Sequence, residues 1–156
     1  MKNKILAALT IVSCVLLIGC GEAKPLFDGH DVRNSNWGDS LEDVKSSESI
    51  DPDVDSSNRL TYADKFLDYN CNITYSFLQD QLCEMDIDIY PEDDQTIEDI
   101  YKDVDKQLEK SYGEATADYD TFKCYRDDKS DIWVTQEAEY VSIKFGRKIE
   151  DIVNNQ

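Results

Sequence analysis

The sequence predicts an α+β domain in which two helices pack on one face of an antiparallel sheet, in the order α-β-β-β-α-β-β-β. Two patterns support this prediction. Apolar and polar residues alternate along neighbouring segments, and a later segment repeats its apolar residues every three or four positions. Turn-like stretches between the alternating segments favour antiparallel pairing, since parallel strands need long crossovers. The 156 residues are enough for one domain.

The first helix is predicted in the segment NWGDSLEDVKSSES. Asp39 or Ser40 can cap it, because their side-chain oxygens accept hydrogen bonds from unpaired amides of the first turn. Leu41 and Val44 are its apolar positions. Pro52 in the following segment prevents the helix from continuing.

Three strands are predicted in RLTYADKFLD, CNITYSF and LCEMDIDIY. One core-facing set alternates through the last two of these segments: Cys71, Ile73, Tyr75 and Phe77, then Cys83, Met85, Ile87 and Ile89. If both sets are buried in one core, the strand register places Phe77 opposite Cys83 and the turn at residues 79–81. The same alternation turns Glu84, Asp86 and Asp88 towards solvent.

The segment DQTIEDIYKDVDKQLEKSYGEA predicts the second helix. Its apolar stripe recurs at helical spacing: Ile97, Ile100, Tyr101, Val104, Leu108 and Tyr112. Thr96 with Asp99 resembles a capping box, and Gly113 suits the left-handed residue that ends a helix. Three further strands are predicted in DTFKCYRDD, SDIWVTQEA and EYVSIKFGRK, and no internal repeat is evident.

The amino terminus has the three parts of a secretory signal: lysines, a short apolar run and a small-residue exit. The run from 5 to 18 is shorter than the roughly 20 residues that span a membrane. Its exit, Leu17, Ile18, Gly19 and Cys20, resembles the lipobox of bacterial lipoproteins. That resemblance implies cleavage before Cys20, a diacylglycerol on its sulfur and often a further acyl group. The alternative is an ordinary cleaved signal with a cysteine nearby by chance.

The lipobox resemblance implies a cellular location and a division of the chain into a signal peptide, a tether and a domain. We expect residues 1–19 to be a removed signal peptide, 20–36 a lipidated amino terminus and tether, and 37–156 a single domain. The implied location is a bacterial cell envelope. The lipid would hold the protein on the outer face of the cytoplasmic membrane or on the outer membrane.

The opening of the first helix carries a second resemblance. Trp37, Gly38, Ser40 and Val44 resemble the helix opening of small α+β envelope lipoproteins, among them accessory lipoproteins of outer-membrane barrel assembly with a β-lactamase-inhibitor-like fold. Those families usually close this helix with Leu-Gly-x-Pro, whereas KSSESIDP stands here. We consider two roles for Trp37 and Gly38, a partner-binding knob or a plug of the core.

The charge of the chain limits its partners. The 16 basic and 34 acidic residues give a net charge of −18, and cleavage after residue 19 would remove two lysines and no acid. Nucleic acids and anionic lipid surfaces would repel such a domain. We therefore expect contact with the membrane only through the lipid on Cys20, and a protein as the remaining partner.

The sequence predicts no metal site and no cofactor. His30 is the only histidine, and the cysteines lack zinc-finger spacing. Asp51, Asp53 and Asp55 have the spacing of the first calcium ligands, but Tyr62 stands where the bidentate glutamate belongs. A solvated acidic turn is the alternative interpretation of these three aspartates.

The remaining cysteines leave the disulfide state open. The predicted register separates Cys71 from Cys83 by more than a disulfide can bridge. Cys124 can meet either one, or all three can be buried and reduced.

No nucleophile elbow, zinc-protease motif or phosphate loop occurs. We therefore expect a non-catalytic binding or envelope-maintenance lipoprotein. The second hypothesis is an inhibitor or immunity-type protein that covers a basic toxin or enzyme. The third is a small hydrolase of envelope polymers.

Overall fold

The computed structural model describes residues 26–148. It contains helices α1 (Leu41–Ser47) and α2 (Ile97–Tyr112) and eight strands. Neither helix of this range is long and apolar enough to cross a membrane. The strands are β1 Val54–Ser56, β2 Arg59–Phe66, β3 Tyr69–Leu78, β4 Gln81–Ile89, β5 Ala117–Tyr119, β6 Phe122–Arg126, β7 Ser130–Gln136 and β8 Val141–Arg147.

The strands form one antiparallel sheet in the spatial order β1-β2-β3-β4-β8-β7-β6-β5. A helix followed by four strands occurs twice, and the two halves join where β4 pairs with β8. The α+β class is therefore confirmed, but the predicted strand count is wrong. The two unpredicted strands, β1 and β5, lie at the two edges of the sheet. Each has three residues, too few to show an alternating pattern.

Both helices begin at the caps that the sequence predicted. Ser40 Oγ accepts a hydrogen bond from the Asp43 amide at 3.2 Å, and the Asp43 carboxylate accepts one from the Ser40 amide at 3.3 Å. Thr96 Oγ1 accepts from the Asp99 amide at 3.1 Å. Gly113 ends α2 with φ of 81°. These bonds satisfy amides that a helix start leaves unpaired.

One hydrophobic cluster contains the buried residues of both helices and of the sheet. Helix α1 contacts β2 and β4, whereas α2 contacts β6, β7 and β8. Val44 of α1 and Val104 and Leu108 of α2 are fully buried in this cluster. Helix packing in each half therefore depends on burial of an apolar helix face against apolar strand positions.

The predicted register between β3 and β4 is wrong near the turn. Gln79 and Asp80 form a two-residue turn with φ of 54° and 61°, which suits the twist of a hairpin. A β-bulge after Ser76 then places Phe77 opposite Leu82, where Cys83 was expected. Leu82 is fully buried and Cys83 only half-buried.

The segment before α1 packs on the domain. Phe27 and Val32 belong to the hydrophobic cluster, although the sequence analysis assigned residues 20–36 to a tether. Val32 and Ser35 exchange backbone hydrogen bonds of 3.0 and 2.8 Å. Phe27 and Val32 therefore pack as part of the domain. The signal peptide and the lipobox, including Cys20, lie outside the described residues.

A buried ionic cluster holds this segment against the sheet. Arg33 Nε lies 3.1 Å from the Glu48 carboxylate, and the guanidinium also pairs with Asp64 on β2. The Tyr75 hydroxyl on β3 donates to Glu48, whose side chain is 1% exposed. Arg33 therefore compensates a carboxylate that has almost no access to water.

We predict that Arg33→Met destabilises the protein by about 3 to 5 kcal/mol, because it leaves the Glu48 charge buried without a cation. Urea unfolding followed by circular dichroism measures this change. The control is Arg126→Met, whose partner Asp131 lies in an exposed pair, and it should leave stability nearly unchanged. Equal stability of the two variants would contradict the prediction.

Candidate functional site

The side of the sheet opposite the hydrophobic cluster forms a continuous surface, which we call the open face. Directly paired residues of antiparallel strands point to the same side. One such row crosses all eight strands, over about 34 Å at the usual strand spacing. In spatial order the row is Val54, Thr61, Thr74, Asp86, Lys144, Trp133, Cys124 and Ala117.

Carboxylates outnumber cations at the centre of the open face. Lys144 Nζ lies 3.3 Å from Glu84 and 3.3 Å from Asp86. Asp88 lies beside them on β4 and accepts a hydrogen bond of 2.9 Å from the Ser142 hydroxyl. We call Glu84, Asp86 and Asp88 the acidic centre. Their position on the solvent side of β4 confirms the sequence prediction.

Asp86 is the most perturbed member of the acidic centre. Burial, followed by the neighbouring charge of Glu84, raises its pKa from the ordinary 3.8 to about 6, although Lys144 opposes the rise. One ammonium thus compensates only part of the charge that two close carboxylates carry.

An aromatic residue lies next to the acidic centre. Trp133 on β7 pairs with Lys144 on β8. Its indole covers Gly146, where an added Cβ would lie 2.9 Å from Cζ3 and 3.3 Å from Cη2. Glycine at this position therefore allows the indole to lie against the backbone, as glycine in a sheet often does for an aromatic neighbour.

A second aromatic group marks the β5–β6 edge of the open face. The Tyr119 and Phe122 ring centroids are 6.2 Å apart, and Tyr119 is 66% exposed. The open face therefore has an acidic centre and an aromatic half.

Trp37 and Gly38, the residues considered for partner binding, join the start of α1 to the sheet. Trp37 Nε1 donates to the Ser130 hydroxyl at 2.9 Å, and the half-buried ring packs against the hydrophobic cluster. Gly38 has φ of 90°, and its amide donates to the Leu82 carbonyl at 3.0 Å. These contacts account for both residues structurally, and a partner-binding role stays a prediction.

The three cysteines of the described range are unpaired. Burial raises the pKa of the Cys71 thiol to about 12, so this group is a thiol rather than a nucleophilic thiolate near neutral pH. Cys124 lies in the open-face row beside Trp133.

The acidic turn contributes structural contacts. Asp53 accepts a hydrogen bond of 2.8 Å from the Ala63 amide, and Asp55 pairs with Lys45. Within residues 26–148, no three histidine, cysteine or acidic side chains are grouped closely enough to hold a metal ion. His30 is exposed.

A cleft of about 440 Å³ lies at the β2–β3 end of the sheet. Asn72 and Ala63 from the open-face side contribute to its lining, together with Cys71 and the exposed Tyr90. The Tyr90 ring packs against Tyr140 at 5.4 Å. This recess extends the open face at one end.

Sequence reasoning missed Trp133, Lys144 and Gly146 as site residues. The segments SDIWVTQ and VSIKFGR alternate, and their apolar positions, among them Val134 and Ile143, are buried. That alternation places the three residues on the solvent side. Their proximity to the acidic centre depends on the β4–β8 pairing, which joins segments more than 50 positions apart.

No protein-family model, curated protein or solved structure matches this chain.

The raised pKa of Asp86 predicts that its ionisation lowers the free energy of unfolding in a pH-dependent way. Because the folded state holds this proton more tightly than the unfolded chain, stability is lost as pH rises from about 4 to about 6. We expect Asp86→Asn to raise the free energy of unfolding by about 1 kcal/mol near pH 7.5 and to change it little near pH 4. Urea unfolding at both pH values measures this difference.

The matched control is Asp93→Asn, which removes an exposed carboxylate outside the sheet. It should not reproduce the pH-dependent gain. Destabilisation by Asp86→Asn near pH 7.5 would contradict the prediction.

Proposed function

We propose that this protein is a lipid-anchored, non-catalytic binding protein of a bacterial cell envelope, and that its open face receives a protein partner. The observation that supports this proposal is the continuous row of open-face residues across eight strands. A surface about 34 Å wide suits a protein, whereas small ligands bind in enclosed clefts.

The proposal takes both helices to pack on the apolar side of the sheet. Their buried residues share one hydrophobic cluster with the core-facing strand positions, which supports this arrangement. The sheet then presents its other side to a partner. The solvent-exposed position of this surface also favours binding over catalysis, because acid-base chemistry benefits from a site that excludes water.

The proposed anchor is the lipid on Cys20. A single acyl chain holds a protein reversibly, while two or three give lasting attachment. Five residues, 21–25, lie between Cys20 and Leu26, the first residue that the structure describes. At about 3.3 Å per residue, this spacing would keep the domain within roughly 20 Å of the lipid surface.

An inhibitor or immunity-type role is the second candidate. The acidic centre supports it, since a carboxylate-rich surface can cover a basic enzyme. A screen against exported nucleases and lysozyme-like enzymes discriminates between the two. Inhibition at micromolar concentration, lost in Asp86→Asn, would favour this second role, and full enzyme activity throughout the screen would count against it.

The lipid anchor predicts that Cys20→Ala abolishes incorporation of a labelled fatty acid and releases the protein from the membrane fraction. Cys14→Ala is the control, because Cys14 lies in the expected signal peptide and should leave labelling intact. Metabolic labelling followed by gel fluorography measures both. Retained label in Cys20→Ala would refute this anchor.

Partner binding predicts position-dependent crosslinking in living cells. A photoreactive amino acid at Asn72 or Thr135, both on the open face, should give a discrete adduct to one protein. The same group at Lys106, which is exposed on α2, should not. Open-face positions that give no adduct, or the same adducts from all three positions, would contradict the proposal.

A further inference from the structure

We propose that the open face binds a lysine- or arginine-bearing segment of its protein partner, with Trp133 as an aromatic platform and the acidic centre as the ion-pairing site. This inference rests on the proposed function and names the chemical class of the partner. The observations that support it are the local charge balance, the position of the indole and the pairing of the central strands.

The local charge favours a cationic partner. Glu84, Asp86 and Asp88 lie on one strand, and Lys144 is the ammonium within ion-pairing distance of the first two. An incoming cation gains attraction from the uncompensated carboxylates. The net charge of −18 adds long-range steering. An acidic partner or a second copy of this chain would meet like charge.

Trp133 offers a surface that a cation can contact. Its indole is half-buried on the open face, with Cζ3 and Cη2 close to the backbone at Gly146, so part of the ring stays accessible from the solvent side. Tryptophan is the side chain whose ring face attracts ammonium and guanidinium groups most strongly. A flat aromatic ring also contributes contact area at small entropic cost.

The sheet places the platform and the acidic centre at a fixed spacing. Asp86, Lys144 and Trp133 occupy one row on three adjacent strands. Two strand spacings separate Asp86 from Trp133, about 10 Å. One basic segment can therefore place one cation on the indole and another at the carboxylates. Because the strands fix this spacing, the sheet itself loses little conformational entropy when the segment binds.

The perturbed state of Asp86 is consistent with a binding role. Its carboxylate is held where burial opposes ionisation, an arrangement that costs stability in the free protein and often marks functional sites. A partner cation beside it would offset that cost in the complex.

The test uses the purified mature lipoprotein in a non-ionic detergent. A twelve-residue peptide that alternates lysine and serine is titrated while ¹⁵N chemical shifts are recorded. We expect the largest shifts at the Trp133 indole and at the Asp86 and Lys144 amides, and a dissociation constant that increases with salt. A glutamate–serine peptide of the same length should produce no such shifts.

Three variants localise the interaction. Glu84→Gln/Asp86→Asn should weaken binding at least about fivefold. Asp93→Asn/Glu114→Gln changes the net charge equally at two exposed positions outside the sheet and should retain affinity. Gly146→Ala keeps every charge but displaces the indole, and should also weaken binding. The amide spectrum shows whether each variant is folded.

Shifts spread over α2 and the acidic loops, or equal losses in the two charge-matched double variants, would overturn the inference. Such a result would leave the proposed function testable by crosslinking from Asn72 and Thr135. If peptide shifts locate to the open face but crosslinking finds no partner there, the proposed function fails instead. The two failures are therefore distinguishable.

Discussion

The pairing of β4 with β8 is the constraint on which the rest of the structure depends. It joins two halves, each a helix followed by four strands, into one sheet. It also ensures that the buried strand residues of both halves point to the same side of that sheet. Ile87 and Ile143 meet at its centre and are fully buried. A one-residue slip would turn the apolar residues of one half to water. The same pairing assembles the open face from residues of both halves.

Local pattern predicted the elements, and long-range pairing decided their arrangement. The stripe of α2, its caps and the alternation in β3 and β4 are visible in the sequence because each depends on neighbours a few residues apart. The edge strands β1 and β5 form only by adding to a longer neighbour, so three residues carry too little signal. The bulge after Ser76 depends on the two-residue turn at Gln79 and Asp80.

The candidate site was predictable only in part, for the same reason. Asp86 and its acidic neighbours were assigned to solvent from alternation within one strand. Trp133 and Gly146 become meaningful when β7 and β8 pair, because the indole then covers the glycine. The packed segment around Val32 was missed because its anchor is the ionic contact of Arg33 with Glu48, fifteen residues later in the chain. A single long-range contact of this kind leaves no periodic pattern in the sequence.

Partner binding requires that the open face be accessible to solvent in the whole protein. Paramagnetic relaxation by a soluble neutral gadolinium chelate measures this directly. We expect strong broadening of the Trp133 indole and of the Thr74 and Thr135 amides, with the Ile143 and Tyr75 side chains protected. Protection of the open-face signals to the same degree as Ile143 would show that this surface is covered, and would contradict the account.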